Sequence, residues 1–271
     1  MDQQTIGQLG RSTTKMKQST ITLVRNHNPL IHHLTNQVVM NFTANGLLAF
    51  GGSPIMAKEP LEMKNMANIV DGMLINIGTL TQYDLKAMLI AGKIANQRNI
   101  PVVLDPVGVA ATDFRKKAVK QLLTEIKFTT IKGNAGEMAY LVDIPWQTKG
   151  VESIDEDNSK LVTIAKSVAK KFNTIAVVTG KTDVISNGDH FLENNSGHYY
   201  LTKITGAGCL LGSLITASLV VSNDYLQAIS DTVHFYGLAA ERTMSQHAVN
   251  GSGTFIPHFI DTLSLNLHEE N

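Results

Sequence analysis

Short apolar runs alternate with amphipathic segments along most of this chain, and that alternation constrains its fold more than any other feature. The runs LIHHLT (30–35), SPIMA (53–57), GMLINIG (72–78), PVVLD (101–105), FTTIK (128–132) and TIAVVT (174–179) each read as a strand. Helical stretches separate them: 36–50, 60–70 with Pro60 near its first turn, 81–99, 114–126, 134–142 and 159–172, the last after a polar loop over 148–158. Continuous apolar strands spaced by helices require a parallel sheet covered on both faces. The pattern then changes. TDVISNG (182–188) and HFLENN (190–195) read as a β-hairpin, HYYLTKI (198–204) as a further strand, and the chain from Gly206 onward as helices. No linker-like shift or internal repeat interrupts it. The expectation is one α/β domain over 15–271 behind a polar, loosely ordered extension over 1–14.

Composition narrows the class. A net charge of +0 offers no basic field for nucleic acid, and no apolar run reaches membrane-spanning length. The first twenty residues lack the apolar centre of a secretory leader. The single cysteine, Cys209, cannot form an internal disulfide, which points to a reducing, cytoplasmic setting.

In open α/β sheets ligands sit beyond the carboxyl ends of the strands, so the residues just past each run carry the functional signal. Two tempting motifs fail. GAGCLLG (206–212) lies too late for a dinucleotide turn and only helices follow it. GKT (180–182) lacks the earlier glycine of a phosphate loop, because position 175 is Ile175. Zinc has little support: His32 and His33 are adjacent, hence on opposite faces of a strand, and no cysteine pairs with them.

Five stretches remain. Asp105 ends one apolar strand, and Lys132, Asn134 and Glu137 follow the next. Asn134 and Glu137 have the spacing of a capping box, while Asp105 and Glu137 together are also what Mg²⁺ with a phosphate requires. Thr179 and Gly180 read either as a turn into the hairpin or as a nucleotide contact through the threonine hydroxyl. In TGAGC (205–209), Gly206, Ala207 and Gly208 would aim backbone N–H groups one way at a helix start, an anion site suited to a transferring phosphoryl group. Cys209 there is either a small buried hydrophobe or part of that site. Finally, Asn36, Asn41 and Asn45 lie at or near helical spacing in an apolar stretch that ends with Met56. They form either an inward polar seam or the lining of a pocket for a small, mostly apolar ring.

Taken together, TNQVVMNFTANGLLAFGGSPIMA (35–57), LINIGTL, LDPVGVAAT, IKGNAGE, VVTGKTDVI and ITGAGCLLGS occur in the order found in hydroxyethylthiazole kinases, and the chain resembles that family from about Leu23 to Leu267. The resemblance implies a ribokinase-like three-layer α/β/α fold with a mostly parallel sheet. It implies transfer of the ATP γ-phosphate to the hydroxyl of 4-methyl-5-(2-hydroxyethyl)thiazole in thiamine salvage, with Mg²⁺, by a homotrimer with sites between subunits. Carried over, Met56 and Gly206 would contact the thiazole, Lys132 and Thr179 the ATP, and Asp105 and Glu137 the Mg²⁺, Glu137 through the N-x-x-E pattern. Lys132 stands where some relatives have arginine. Cys209 stands where most ribokinase-like enzymes carry the aspartate that takes the alcohol proton. A hydroxymethylpyrimidine kinase and an ATP-dependent hydrated-nicotinamide-nucleotide dehydratase are the alternatives within the fold; the dehydratases keep the aspartate, so Cys209 argues against that one.

Overall fold

The computed structural model describes residues 19–146 and 154–267, so the polar extension over 1–14 lies outside the described residues. One eight-stranded sheet organises them. Its strands are β1 (Leu30–Leu34), β2 (Ser53–Ile55), β3 (Gly72–Asn76), β4 (Val102–Asp105), β5 (Thr130–Asn134), β6 (Ile175–Thr179), β7 (Asp183–Ser186) and β8 (Phe191–Asn194). They lie in the order β2-β1-β3-β4-β5-β6-β7-β8. Every pair from β2 to β6 is parallel, and the β7–β8 hairpin adds an antiparallel edge.

Side-chain alternation divides the core in two. Met73, Ile75, Val102, Leu104 and Ile131 face a layer built from α3 (Met63–Ile69), α4 (Gln82–Gln97), α5 (Asp113–Glu125), α6 (Ala135–Leu141) and α7 (Ile154–Phe172). Ile31, Leu74, Val103 and Val177 face the other way, onto α1 (Thr20–His27), α2 (Met40–Phe50), α8 (Ala207–Val220), α9 (Tyr225–Met244) and α10 (Ser252–Leu263). This is the three-layer α/β/α arrangement expected of the strand pattern. Helix α8 is buried along nearly its whole length, which explains why its sequence is apolar on all sides.

Three local expectations fail. Residues 198–204 form no strand: Tyr199–Thr202 make a 3₁₀ turn. His198 Nδ1 accepts the Tyr200 N–H at 3.3 Å, and the two tyrosine rings pack with His198, Tyr200 also with Phe255. Aromatic packing against a helix replaces pairing with a sheet edge. The helix around 36–50 starts only at Met40, leaving Asn36 in the connection after β1. Asn41 and Asn45 then point outward and bond each other, Asn45 Nδ2 donating to Asn41 Oδ1 at 3.1 Å, so no inward seam forms. Helix α7 starts at Ile154, within the stretch expected as loop.

Candidate active site

Strand register builds the floor of the site. Asn76 pairs with Asp105 at the carboxyl ends of β3 and β4, and Leu104 pairs with Ile131, which brings Lys132 level with Asp105 on β5. These three polar residues form a row across adjacent strands on the face covered by α8. All three are buried, Asp105 to 1% and Lys132 to 3% exposure. Lys132 Nζ lies 3.4 Å from Asp105 Oδ2, and Asn76 Nδ2 donates to the same oxygen at 2.8 Å.

The roof is the start of α8. Gly206 precedes it with φ +94, in the left-handed region, and a Cβ there would come within 2.7 Å of Val39 Cγ1 and 3.2 Å of Phe42 Cδ1. Glycine is therefore required for both conformation and space. The first bond of the helical ladder is Leu210 N–H to Gly206 O at 2.8 Å, and no side chain caps the helix. The N–H groups of Ala207, Gly208 and Cys209 precede that ladder, at the positive end of the helix dipole. The Tyr236 hydroxyl donates to Ala207 O at 2.8 Å and fixes the turn from behind. A Cβ on Gly208 would sit 3.3 Å from Lys132 Nζ, so the ammonium and the helix start adjoin.

Cys209 joins roof to floor. Its sulfur accepts from Asn76 Nδ2 at 3.2 Å and from Asn36 Nδ2 at 3.5 Å. Burial and then the Asp105 charge push its pKa up, against Lys132 and the two amides, so the thiol stays protonated at neutral pH. Burial also pushes the Asp105 carboxyl up, with Lys132 pulling it back. Burial opposes the charge on Lys132, but Asp105, Cys209 and Glu137 outweigh it and hold the ammonium above its usual range.

Glu137 lies beside this group and is fully engaged. Oε2 accepts the Asn134 N–H and Oε1 the Gly108 N–H, both at 2.9 Å, while Asn134 Oδ1 caps the Glu137 N–H at 2.9 Å. The capping box is thus formed, and Glu137 also anchors the loop after β4. Thr179 Oγ1 donates to Gly133 O at 3.3 Å, and the Gly180 N–H is given to Asp183 Oδ1 at 3.0 Å in the turn into the hairpin. Met56 follows the edge strand β2; β1 separates that strand from β3 and Asn76. The structure therefore gathers Asn36, Asp105, Lys132, Gly206, Gly208 and Cys209, sets Glu137 and Thr179 at the margin, and leaves Met56 at the sheet edge.

Two contributors escaped the sequence reading. Asn76 is one; a polar residue closing an apolar strand was the signal that singled out Asp105, and Asn76 carries the same one. Arg115 is the other. Its Nη1 donates to Ile77 O and Val107 O at 2.5 and 2.7 Å and its Nη2 to Gly78 O at 2.5 Å, stapling together the loops after β3 and β4.

A parallel sheet whose strand ends carry a buried carboxylate and ammonium, under an uncapped helix start opened by glycine, fits a phosphotransferase of the ribokinase-like fold. A profile of the hydroxyethylthiazole kinase family matches residues 21–270. Hydroxyethylthiazole kinase 1 of Oceanobacillus iheyensis is 54% identical over 249 residues, covering 92% of this chain and 96% of its own. The solved hydroxyethylthiazole kinase of Pyrococcus horikoshii superposes with a TM-score of 0.82 at 34% identity, covering 90% of this chain and 91% of its own. The ADP/ATP-dependent NAD(P)H-hydrate dehydratase of Bacillus subtilis shares the fold alone, with a TM-score of 0.53 at 16% identity over 92% of each chain. The chain belongs to the hydroxyethylthiazole kinase family.

Proposed function

We propose that the chain transfers the γ-phosphate of ATP to the hydroxyl of 4-methyl-5-(2-hydroxyethyl)thiazole. The observation that carries this reading is that Lys132 Nζ adjoins Gly208 at the start of α8, where the N–H groups of Ala207, Gly208 and Cys209 precede the helical ladder. Charge in a loose phosphoryl transition state spreads over three equatorial oxygens, and preorganised donors in a buried site stabilise it. Beside that point Gly206 touches Val39 and Phe42, an apolar wall suited to a neutral ring. A sugar there would leave hydroxyls unpaired, at roughly 1–3 kcal/mol each. In this reading Asn36 and Met56 border the ring, while Thr179 and Gly180 border the nucleotide.

Asp105 and Glu137 would hold Mg²⁺. The donor chemistry fits: both are hard-oxygen ligands, Asp105 at the end of β4 and Glu137 in the first turn of α6 just past β5, and the Glu137 charge contributes to the raised pKa of Asp105. Each already accepts hydrogen bonds from the protein, and the described residues group no three His, Cys, Asp or Glu side chains around one point. Such a pair suits an ion that keeps several waters and takes its other ligands from phosphate. When bound, Mg²⁺ supplies charge neutralisation at the phosphates. The chain's own residues position the alcohol and hold the anion.

A homotrimer in a cytoplasmic setting completes the reading. Val38, Leu48, Leu61 and Ile69 are exposed apolar residues on segments flanking the edge strand β2, where a second copy would cover Met56. Among the described residues no helix is long and apolar enough to cross a membrane.

The test is ADP formation with ATP, Mg²⁺ and each of hydroxyethylthiazole, hydroxymethylpyrimidine and ribose, with light scattering for the mass in solution. Turnover with the thiazole far above the other two is the expected result. Equal turnover of ribose, or none with the thiazole, refutes the assignment.

A further inference from the structure

Asn76 makes four hydrogen bonds through one buried amide. Its Oδ1 accepts the Gly78 N–H at 2.9 Å and Asn36 Nδ2 at 2.9 Å. Its Nδ2 donates to Asp105 Oδ2 at 2.8 Å and to Cys209 Sγ at 3.2 Å. The orientation follows from chemistry. A backbone N–H can only donate, so the atom facing Gly78 is the oxygen, and the NH₂ must face the carboxylate and the sulfur. Asn36 must in turn present its own NH₂ to that oxygen. A Cβ on Gly78 would lie 2.7–2.8 Å from Asn36 side-chain atoms, so Gly78 also closes the pair from outside.

Asp105 and Cys209 belong to different elements, β4 and α8, and no hydrogen bond among the described residues joins them directly. Asn76 is bonded to both. In the kinase reading Asp105 stands on the Mg²⁺ and phosphate side, and Cys209 stands where the family resemblance puts the group that faces the alcohol proton. We propose that Asn76 is a positioning residue for phosphoryl transfer: one amide, giving one hydrogen to each, sets the spacing between the carboxylate and the thiol. Gly78, Asn36 and, through the Gly78 carbonyl, Arg115 hold that amide in place. This role rests on the kinase reading. It adds that the amide joining the carboxylate to the thiol governs the alignment.

Alignment errors near 1 Å can lower a rate about 10²-fold. Asn76→Leu keeps the branched outline of the side chain and removes all four hydrogen bonds. It is expected to lower kcat about 10²-fold and to leave KM for ATP within about threefold, because Lys132 and the N–H groups of α8 remain. The chain's single cysteine gives a second readout that needs no catalysis. The infrared S–H stretch, assigned by its loss in Cys209→Ala, should shift in Asn76→Leu without any substrate present. Should Asn76→Leu fail to fold, Asn76→Ser carries the same comparison with a smaller side chain. An unchanged S–H band overturns the contact, and a shifted band with parental kcat overturns the positioning role. A loss confined to KM for ATP also overturns it. A parent enzyme inactive on the thiazole refutes the kinase reading itself, with the band still reporting whether the contact exists.

Discussion

Replacing Lys132 with methionine tests the electrostatics of the site most directly. The substitution keeps most of the stem and deletes the ammonium 3.4 Å from Asp105 Oδ2, with both residues buried. At an effective dielectric of about 20, the attraction over that distance is roughly 5 kcal/mol before desolvation is subtracted. Removing one partner of a buried pair destabilises by about 3–5 kcal/mol, because the other charge is left uncompensated. The two figures agree, so Lys132→Met should lose about 3–5 kcal/mol at pH 7. The loss should depend on pH with a definite sign. Burial already raises the Asp105 pKa, and without Lys132 nothing of opposite charge pulls it back. The native variant then holds a proton that the unfolded chain, with an ordinary carboxyl, has released. Its deficit against the parent is smallest near the unfolded carboxyl pKa, grows as pH rises through the raised folded value, and then levels. Lys132→Met/Asp105→Asn removes the stranded charge and should return to within about 1–2 kcal/mol of the parent, since a buried pair is often replaceable by neutral groups. Urea unfolding at fixed protein concentration, followed by circular dichroism at pH 5 and 7, measures all three. A single variant within about 1 kcal/mol of the parent at pH 7, or a double variant no more stable than the single, would refute the reasoning.

Gly206→Ala should lose about 2–5 kcal/mol: roughly 1–2 for an L-residue at φ +94 and roughly 1–3 for crowding Val39 and Phe42, read by thermal and urea unfolding. Glu137→Gln has one oxygen for two N–H donors, so it keeps either the capping bond to Asn134 or the bond to Gly108 and should cost about 1–2 kcal/mol while slowing turnover far more if Mg²⁺ binds there; a slowed enzyme whose rate does not rise with added Mg²⁺ removes Glu137 from the metal site. His33 is held neutral by burial, its pKa lowered to about 4. The unfolded chain takes up a proton near pH 6.5 that the native state refuses, so stability falls by about 3 kcal/mol from pH 6.5 to 4; His33→Gln should flatten that part of the acid-unfolding curve, and an unchanged slope contradicts the assignment.

The sheet was legible because strands buried on both faces carry unbroken apolar runs, and six of them stand out between helices. The site was legible where a polar residue closes such a run, as Asp105 does, or where glycines open a helix, as at Gly206. What escaped has a physical cause each time. Asn76 closes its run as Asp105 does, but an amide inside an apolar strand carries no charge to mark it, and its partners lie 29 and 133 residues away. Asn36, Asn41 and Asn45 have helical spacing, yet spacing gives no helix start; with the first turn at Met40 the three residues part company. The tyrosines at 199 and 200 have strand propensity, but rings that pack on His198 and Phe255 favour a 3₁₀ turn over a sheet edge. The family resemblance implied a nucleotide contact for Lys132, which lies within β5. Only register across three strands shows that it is the buried counter-ion of Asp105.

That position bears on how the transfer works. A tight charge-assisted hydrogen bond from nitrogen to a carboxylate measures about 2.7–2.9 Å, and Lys132 stands farther from Asp105 than that. It also borders Gly208, in the first turn of α8, whose leading N–H groups precede the helical ladder. The ammonium is thus shared between a fixed carboxylate and the place where phosphoryl oxygens would sit. An incoming phosphate meets a positive region already assembled and shielded from water, with little reorganisation required of it. A base contributes less in such a site. The transition state is loose, so the alcohol keeps its proton until late, and the Cys209 thiol, raised by burial and by Asp105, is poorly disposed to take it. In the proposed reading, electrostatic preorganisation by Lys132 and the start of α8 would carry more of the rate than proton removal, and the thiol would contribute through where its sulfur is held.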